Sequence, residues 1–309
     1  MSLEADTIVH SRRLRRRLIF WRTLAVIAAV AIAVTVVQRL TAGDLGRFGK
    51  SAYVARISLS GVITDDRDLL ERLEDVASDG RAKAIIVAID SPGGTVVGGE
   101  AFYAALREAS AEKPVVAVMG TTAASAAYMV AIGADRIFAH SGTVTGSIGV
   151  LLQTAQVTDL LQSIGISPIS IKSSPLKAVP SPVEELTPAG RAAAQEVVDA
   201  MYRMFVDMVG DRRGLSGDRL SAVTDGRIFT GRQAVELGLI DGVGGEKAAR
   251  KWLADEKGVD EDLPAVDRDP EEEFSFLGTA SSMLFGKSLS SERLILDGLI
   301  SVWHADLRS

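Results

Sequence analysis

The sequence predicts an α/β protein built around a mainly parallel β-sheet. Apolar runs rich in β-branched residues alternate with amphipathic segments over residues 53–171. The run at residues 83–90, Lys-Ala-Ile-Ile-Val-Ala-Ile-Asp, is typical of a strand that is buried on both faces. Because strands that alternate with helices are joined by right-handed crossovers, we expect a parallel sheet covered by helices on both faces.

The individual elements follow from periodicity and from capping residues. The patterns predict strands at 53–59, 83–90, 114–119, 136–139 and 166–171, and helices at 67–77, 99–109, 126–134 and 155–164. Thr187 followed by Pro188 indicates the start of a long helix that reaches about residue 209. Thr230 and Gln233 have the spacing of a capping box for a short helix that ends near Gly238.

Length and composition limit the classes of function. A chain of 309 residues that is 47% hydrophobic can bury a sizeable core in one large or two small domains. Cysteine is absent, which excludes a thiol nucleophile, disulfides and cysteine-based metal sites. The function must therefore use other side chains.

The N-terminal segment resembles a membrane anchor. Six arginines give residues 1–22 a net charge of +4, which leaves −10 for the rest of the chain. Residues 24–37 are uncharged, and the apolar stretch begins at Leu18 if Arg22 reaches the headgroups. A full span needs roughly 20 residues. We expect a permanent anchor rather than a cleaved signal peptide because no A-x-A site follows, with the N-terminus in the cytoplasm.

Three regions follow from these patterns. Residues 1–50 form the basic flank, the span and a glycine-containing linker, residues 51–257 form the main domain, and residues 258–309 form an acidic linker and a C-terminal tail. The apolar spacing of residues 294–307 favours a docking helix. The Arg cluster could also bind nucleic acid, but a basic run that abuts an apolar span is far more typical of a topology signal.

Ser125 is a candidate nucleophile. It lies among small residues at the expected junction of an apolar strand and an Ala-rich helix, where its Oγ could be exposed beside the free N–H groups of the helix N-terminus. Gly93 and Gly94 follow an earlier strand and could bring a second backbone donor to the same point. This combination predicts an enzyme that stabilises an oxyanion.

A serine nucleophile needs a base, and the residues leave the choice open. The histidines are His10, His140 and His304, of which only His140 lies in the main domain. A lysine could act instead if burial brought its pKa from about 10.4 toward neutrality. Lys172 and Lys177 lie in the segment after the strand expected at 166–171, whereas Lys83 and Lys113 precede strands.

Five motifs in this chain resemble the signal peptide peptidase A family of serine peptidases in its short, single-repeat form. The resemblance covers residues 53–257 and implies the fold of the Clp ring peptidases and the crotonases. The motifs are Ile89-Asp90-Ser91-Pro92-Gly93-Gly94, Ala124-Ser125-Ala126-Ala127-Tyr128, Thr145-Gly146-Ser147-Ile148-Gly149-Val150, Lys172-Ser173-Ser174-Pro175-Leu176-Lys177, and Asp225-Gly226-Arg227 with Gly238-Leu239-Ile240-Asp241.

The resemblance implies a role for each site residue. Ser125 would be the nucleophile and Lys177 the base, with Lys172 in reserve, and Ser147 would hydrogen-bond the lysine. The oxyanion donors would be the N–H groups of Gly93 or Gly94 and of Ala126.

Two comparisons with related families qualify these assignments. In the Clp peptidases the histidine base follows the serine by roughly two dozen residues. Ser147 stands at that distance here and His140 does not, which argues against His140 as the base. The family commonly has two glycines after the nucleophile, whereas this chain has Ala126 and Ala127.

The expected function is that of a membrane-anchored serine endopeptidase with a Ser-Lys dyad and no metal or organic cofactor. By resemblance its substrates would be remnant signal peptides and also misfolded exported proteins. Because the chain has a single repeat, neighbouring protomers of a ring would supply serine and lysine. Two alternatives stay open: a non-catalytic peptide-binding membrane scaffold with the same fold, and acyl-CoA chemistry of the crotonase type.

Overall fold

A computed structural model describes residues 51–268 and the strand at 300–302, together with residues 21, 22, 24 and 26. The chain divides into two units, Met1–Ser51 and Ala52–Ser309, and the second contains the sheet and its helices. The expected membrane span falls almost entirely outside the described residues. Within the described part of the chain, no helix combines the length and the apolar character that a bilayer crossing requires.

The described residues form one nine-stranded sheet in which strands follow the order β6-β5-β3-β2-β1-β8, with β4, β7 and β9 attached beside this path. Most neighbours are parallel, including β1 with β2 and β2 with β3; β5 with β6 and β2 with β9 are antiparallel. The strands are β1 (Tyr53–Ile63), β2 (Ala82–Thr95), β3 (Val115–Ala124), β4 (Arg136–Ala139), β5 (Val144–Gly146), β6 (Ile228–Thr230), β7 (Gly242–Val243), β8 (Ala265–Asp267) and β9 (Ile300–Val302).

Helices connect these strands. In the described main body they are α1 (Arg67–Ser78), α2 (Val96–Glu112), α3 (Ala126–Ala131), α4 (Thr158–Ser163), α5 (Pro188–Arg213), α6 (Gly217–Ser221), α7 (Gly231–Glu236) and α8 (Glu246–Lys257). Two predicted caps are confirmed. The Thr187 side chain accepts a hydrogen bond from the Gly190 N–H, and Thr230 and Gln233 form the capping box of α7.

The central strands are buried on both faces, as their apolar runs predict. In β2, Ile85, Val87 and Ile89 pack into a large cluster with α1, α2 and α3. Ala84 and Ile86 point the other way, into a smaller cluster with residues of α8. This alternation confirms a sheet with helical layers on opposite faces.

The strands that lead to the site are longer than their apolar runs. The predicted strand at 83–90 continues through Pro92 and both glycines to Thr95, and the strand at 114–119 continues to Ala124.

Strand β8 was not predicted; it pairs with β1 where residues 265–267 follow Pro264. The helix expected at 294–307 is wrong for its described part, because residues 300–302 form a strand.

The strand predicted at 166–171 is also absent. These residues form no helix or strand, and Ile169 and Ile171 are 87% and 99% exposed. A β-branched run becomes a strand only when a neighbouring strand satisfies its backbone groups, and the described chain offers none here. The sequence pattern thus identified an apolar segment correctly, but the prediction that this segment forms a strand was wrong.

Candidate active site

Ser125 occupies the sharp turn between β3 and α3. Its backbone has φ 58° and ψ −122°, a conformation that residues other than glycine rarely adopt. Its neighbours Ala124 and Ala126 are fully buried, and Ser125 itself is 1% exposed. Small side chains permit this turn, because larger ones would collide with the sheet and with the helix. The geometry matches a strand-turn-helix nucleophile elbow.

A hydrogen bond brings Ser147 next to Ser125. The Ser125 N–H donates to the Gly146 carbonyl at 2.8 Å, where β5 runs parallel to β3 with Ala124 opposite Gly146. Ser147 follows directly, and its N–H donates to the Arg227 carbonyl at 2.8 Å. Ser147 also has a positive φ, of 49°. The fold therefore places two of the predicted site residues on adjacent, backbone-anchored turns.

Glycine is required at two positions near these turns. Gly146 has φ 84°, and a Cβ added there would lie 2.7 Å from Cδ2 of Phe229. A Cβ on Gly94 would lie 1.9 Å from the Ile63 carbonyl oxygen of β1. The Gly-Gly motif thus lets the end of β1 approach β2 closely, a structural requirement in addition to any catalytic one.

The predicted oxyanion donors differ in their surroundings. The Gly93 N–H donates to Oγ of the buried Ser91 at 3.1 Å. Ala126 is the first residue of α3, where N–H groups have no acceptor within the helix. The Ala126 methyl group lies against Gly99 of α2, and a Cβ added to Gly99 would lie only 3.1 Å from the Ala126 Cβ. The glycine on α2 therefore leaves room for this methyl group.

An extended segment of the same chain lies along the Gly-Gly edge. Strand β9 runs antiparallel to β2 and pairs Val302 with Gly93 and Ser301 with Gly94. The opposite edge of these glycines is taken by Val62 and Ile63 of β1. Strand β9 therefore lies on the same side of β2 as β3. The last pair between β2 and β3 is Ser91 with Ala123, and Ala123 is two residues before Ser125.

The two candidate lysines have different environments. The Lys177 side chain is exposed, and the described structure gives its Nζ no hydrogen bond. Lys172 forms an ion pair with Glu184. Hydrogen bonds from Lys172 and from Ser170 hold the pKa of Glu184 below its usual range.

The remaining basic candidates have structural contacts. The Lys113 Nζ donates to the carbonyls of Val76, Asp79 and Ala82 at 2.7–3.1 Å, and burial lowers its pKa. His140 is exposed just after β4 and its backbone N–H donates to Thr143. Lys83 donates to the Gly80 carbonyl.

Asp90 is a residue near the site that belongs to a quoted motif but to which the sequence analysis assigned no role. Its carboxylate accepts a hydrogen bond from the Thr122 N–H at 2.9 Å, and it lies against Gly120. The contact ties the end of β2 to the part of β3 that leads into Ser125. Its position directly before Ser91-Pro92-Gly93-Gly94 was the available signal.

Comparison with known proteins gives the family. Peptidase family S49 matches residues 107–260 and the Clp protease family matches residues 53–160. The chain is 40% identical over 216 residues to slr0021 of Synechocystis sp., a protein named as a candidate protease, covering 69% of this chain and 78% of that one. It is 30% identical over 236 residues to a candidate signal peptide peptidase SppA of Enterococcus faecium, covering 71% and 68%.

Two further matches differ in extent. The chain is 34% identical over 174 residues to Protease 4 of Salmonella typhi, covering 56% of this chain and 28% of that longer protein. A solved structure of the membrane-bound stomatin-specific protease 1510-N, in a serine-to-alanine variant, overlaps with a TM-score of 0.45 at 18% identity, covering 70% of this chain and 97% of that one.

The strand-turn-helix serine and the matched families define a serine peptidase with a Clp-protease-like domain. The chain belongs to peptidase family S49, the signal peptide peptidase A family.

Proposed function

We propose that the protein is a serine endopeptidase in which Ser125 and Lys177 form a catalytic dyad. The observation that carries this proposal is the strained turn of Ser125, which is anchored by the Gly146 carbonyl and adjoins Ser147. Strain of this kind is maintained only where the surrounding structure enforces it, and it is concentrated at functional sites.

The proposed reaction is acyl transfer through the serine. The Ser125 Oγ attacks the scissile carbonyl carbon while the neutral Lys177 amine takes its proton. Backbone N–H groups of Gly93 or Gly94 and of Ala126 stabilise the oxyanion. The protonated Lys177 then gives this proton to the leaving amine as the C–N bond breaks, which leaves the acyl group on Ser125. The neutral Lys177 amine next takes a proton from a water molecule that attacks the acyl carbon, and it returns this proton to the Ser125 Oγ as the acyl group leaves as a carboxylic acid. Ser147 would orient the lysine.

Lys177 is the better base on the contacts described. The Lys172 Nζ is engaged by Glu184, and the Lys113 Nζ donates to three carbonyls, so both are already used. Lys177 has no such partner in the described chain. His140 precedes β5, and its backbone is tied to Thr143.

Strand addition is the proposed mode of substrate binding. The pairing of β9 with Gly93 and Gly94 supports this mode, because this edge of β2 is paired with an extended segment of the chain. A peptide that replaced β9 would pass close to the nucleophile. We propose remnant signal peptides, and misfolded exported proteins, as the substrates.

Exposed hydrophobic side chains support a ring in which neighbouring protomers supply the serine and the lysine. Exposed hydrophobic side chains, between 49% and 99% accessible, are concentrated in the segment that carries Lys177: Leu151, Leu160, Ile164, Ile166, Ile169, Ile171 and Leu176. Exposed apolar side chains that form one patch are typical of an interface. A neighbouring protomer that covered it would also provide the burial that a lysine base needs.

Anchoring in the cytoplasmic membrane is proposed from the sequence. The arginine-rich flank and the apolar residues 18–37 favour a single span with the N-terminus in the cytoplasm and the peptidase domain on the exported side. Substrates that lie in or beside the bilayer would then be close to the site.

The dyad is tested by kinetics of single and double variants. Ser125→Ala and Lys177→Ala should each lower kcat for a peptide substrate by about 10³-fold or more, and the double variant should be scarcely slower, because members of one catalytic unit are not additive. Substantial activity in Lys177→Ala would contradict the assignment. An equal loss in Lys172→Ala with Lys177→Ala active would transfer the role to Lys172.

Shared sites are tested by mixing two inactive variants. Ser125→Ala and Lys177→Ala chains that exchange subunits at equal concentrations should recover activity at up to about a quarter of the junctions, where an intact serine meets an intact lysine. Each variant subjected alone to the same exchange is the control. No recovery despite exchange verified by mass spectrometry would place both residues in one protomer.

The membrane arrangement is tested by protease accessibility. Protease added to intact spheroplasts should digest the peptidase domain and spare a tag placed before Arg12, because the span separates them. A cytoplasmic protein that stays intact is the control for sealed membranes. Protection of the domain in sealed spheroplasts would contradict this topology and favour the acyl-CoA alternative.

A further inference from the structure

The segment that carries Lys177 has no core of its own. From residue 151 to residue 189 every side chain is at least partly exposed, in contrast to the fully buried surroundings of Ser125. A lysine base must nevertheless reach its proton donor with a tolerance well below 1 Å, since a misplacement of that size costs on the order of 100-fold in rate. Within one chain, contacts other than a hydrophobic core must hold this segment in place.

Three contacts between distant positions hold the segment. The Val157 N–H donates to the Pro182 carbonyl at 2.8 Å. The Val179 side chain packs on Gly190 at the start of α5, so closely that a Cβ on Gly190 would lie 2.6 Å from its Cγ1. The third contact is the ion pair between Lys172 and Glu184, whose side chains are 18% and 30% exposed.

The ion pair closes the loop around Lys177. Its partners are 12 residues apart in sequence, and Lys177 lies between them. The Ser170 side chain, in the stretch before Lys172, also lowers the pKa of Glu184. Of the salt bridges in the described residues, this is the one within the 151–189 segment.

We propose that Lys172 and Glu184 are positioning residues whose ion pair sets where Lys177 stands relative to Ser125. The inference rests on the proposed dyad and assigns Lys172 a structural part in it in place of the reserve role as base. A partly exposed ion pair contributes little to the free energy of unfolding. Its loss should therefore displace the loop while leaving the stability of the domain nearly unchanged.

The test compares Glu184→Gln with Glu185→Gln in the full chain. Glu185 is the adjacent acidic residue, it is exposed, and it forms no salt bridge in the described structure. Glu184→Gln should lower kcat by about fivefold, the upper range of a partly exposed pair, with KM within twofold and the melting temperature unchanged. Glu185→Gln should match the unsubstituted protein in all three.

A charge exchange provides the decisive arm. Lys172→Glu alone places two carboxylates together and should lower kcat further than Glu184→Gln, because like charges repel and open the loop. Combined with Glu184→Lys, it restores an opposite pair and should recover at least half of the original kcat.

The outcomes separate this inference from the dyad itself. Equal kcat in the Glu184→Gln and Glu185→Gln variants, or no recovery in the exchanged pair when its melting temperature is unchanged, would overturn the positioning role. A melting temperature that falls in step with kcat in Glu184→Gln would reduce the pair to a stabilising contact and overturn it as well. If Lys177→Ala stays active, the dyad has failed, whatever the ion-pair variants do.

Discussion

The geometry of the site depends on the hydrogen bond between the Ser125 N–H and the Gly146 carbonyl. This bond stabilises a backbone conformation of Ser125 that residues other than glycine rarely adopt. Because the bond joins the end of β3 to the end of β5, it also places Ser147, the residue after Gly146, beside Ser125. The bond can form because Gly146 has a positive φ and leaves room for Phe229. Small, buried residues on β3 and α3 then flank the serine, which is itself 1% exposed.

The same requirement for close backbone approach extends to β2. Gly94 admits the end of β1, and Gly99 on α2 admits the Ala126 methyl group beside the nucleophile. This second contact explains how the chain accommodates Ala126, where the family resemblance implies a glycine. The Ala126 methyl group faces a glycine on the adjacent helix, which leaves space for it beside the turn of Ser125.

Much of this fold could be predicted from local patterns, but contacts between distant residues could not. The runs in β1 to β4 and the Thr187 and Thr230 caps have strong local signals, and the structure confirms them. The proximity of Ser147 to Ser125 depends on the register of β3 against β5, which no local pattern encodes. The continuation of β2 through Pro92 was missed because proline is normally a strand breaker.

The Lys177 segment illustrates the opposite error. Its isoleucines are β-branched, as is typical of a strand, but the described chain provides no neighbouring strand for them. They are therefore exposed in the segment that carries Lys177. Sequence periodicity reports which side chains would be buried if a partner existed, and it carries no information on whether that partner belongs to the same molecule. The proposed ring would supply the partner from a second copy.

The most direct measurement of the central claim is the site of covalent modification by a fluorophosphonate, which reacts with activated serines. Peptide mapping by mass spectrometry should place the adduct on Ser125, with labelling strongly slowed in Lys177→Ala because the base that activates the serine is gone. Modification of Ser147 instead of Ser125, or labelling of Ser125 at the same rate without Lys177, would contradict the account.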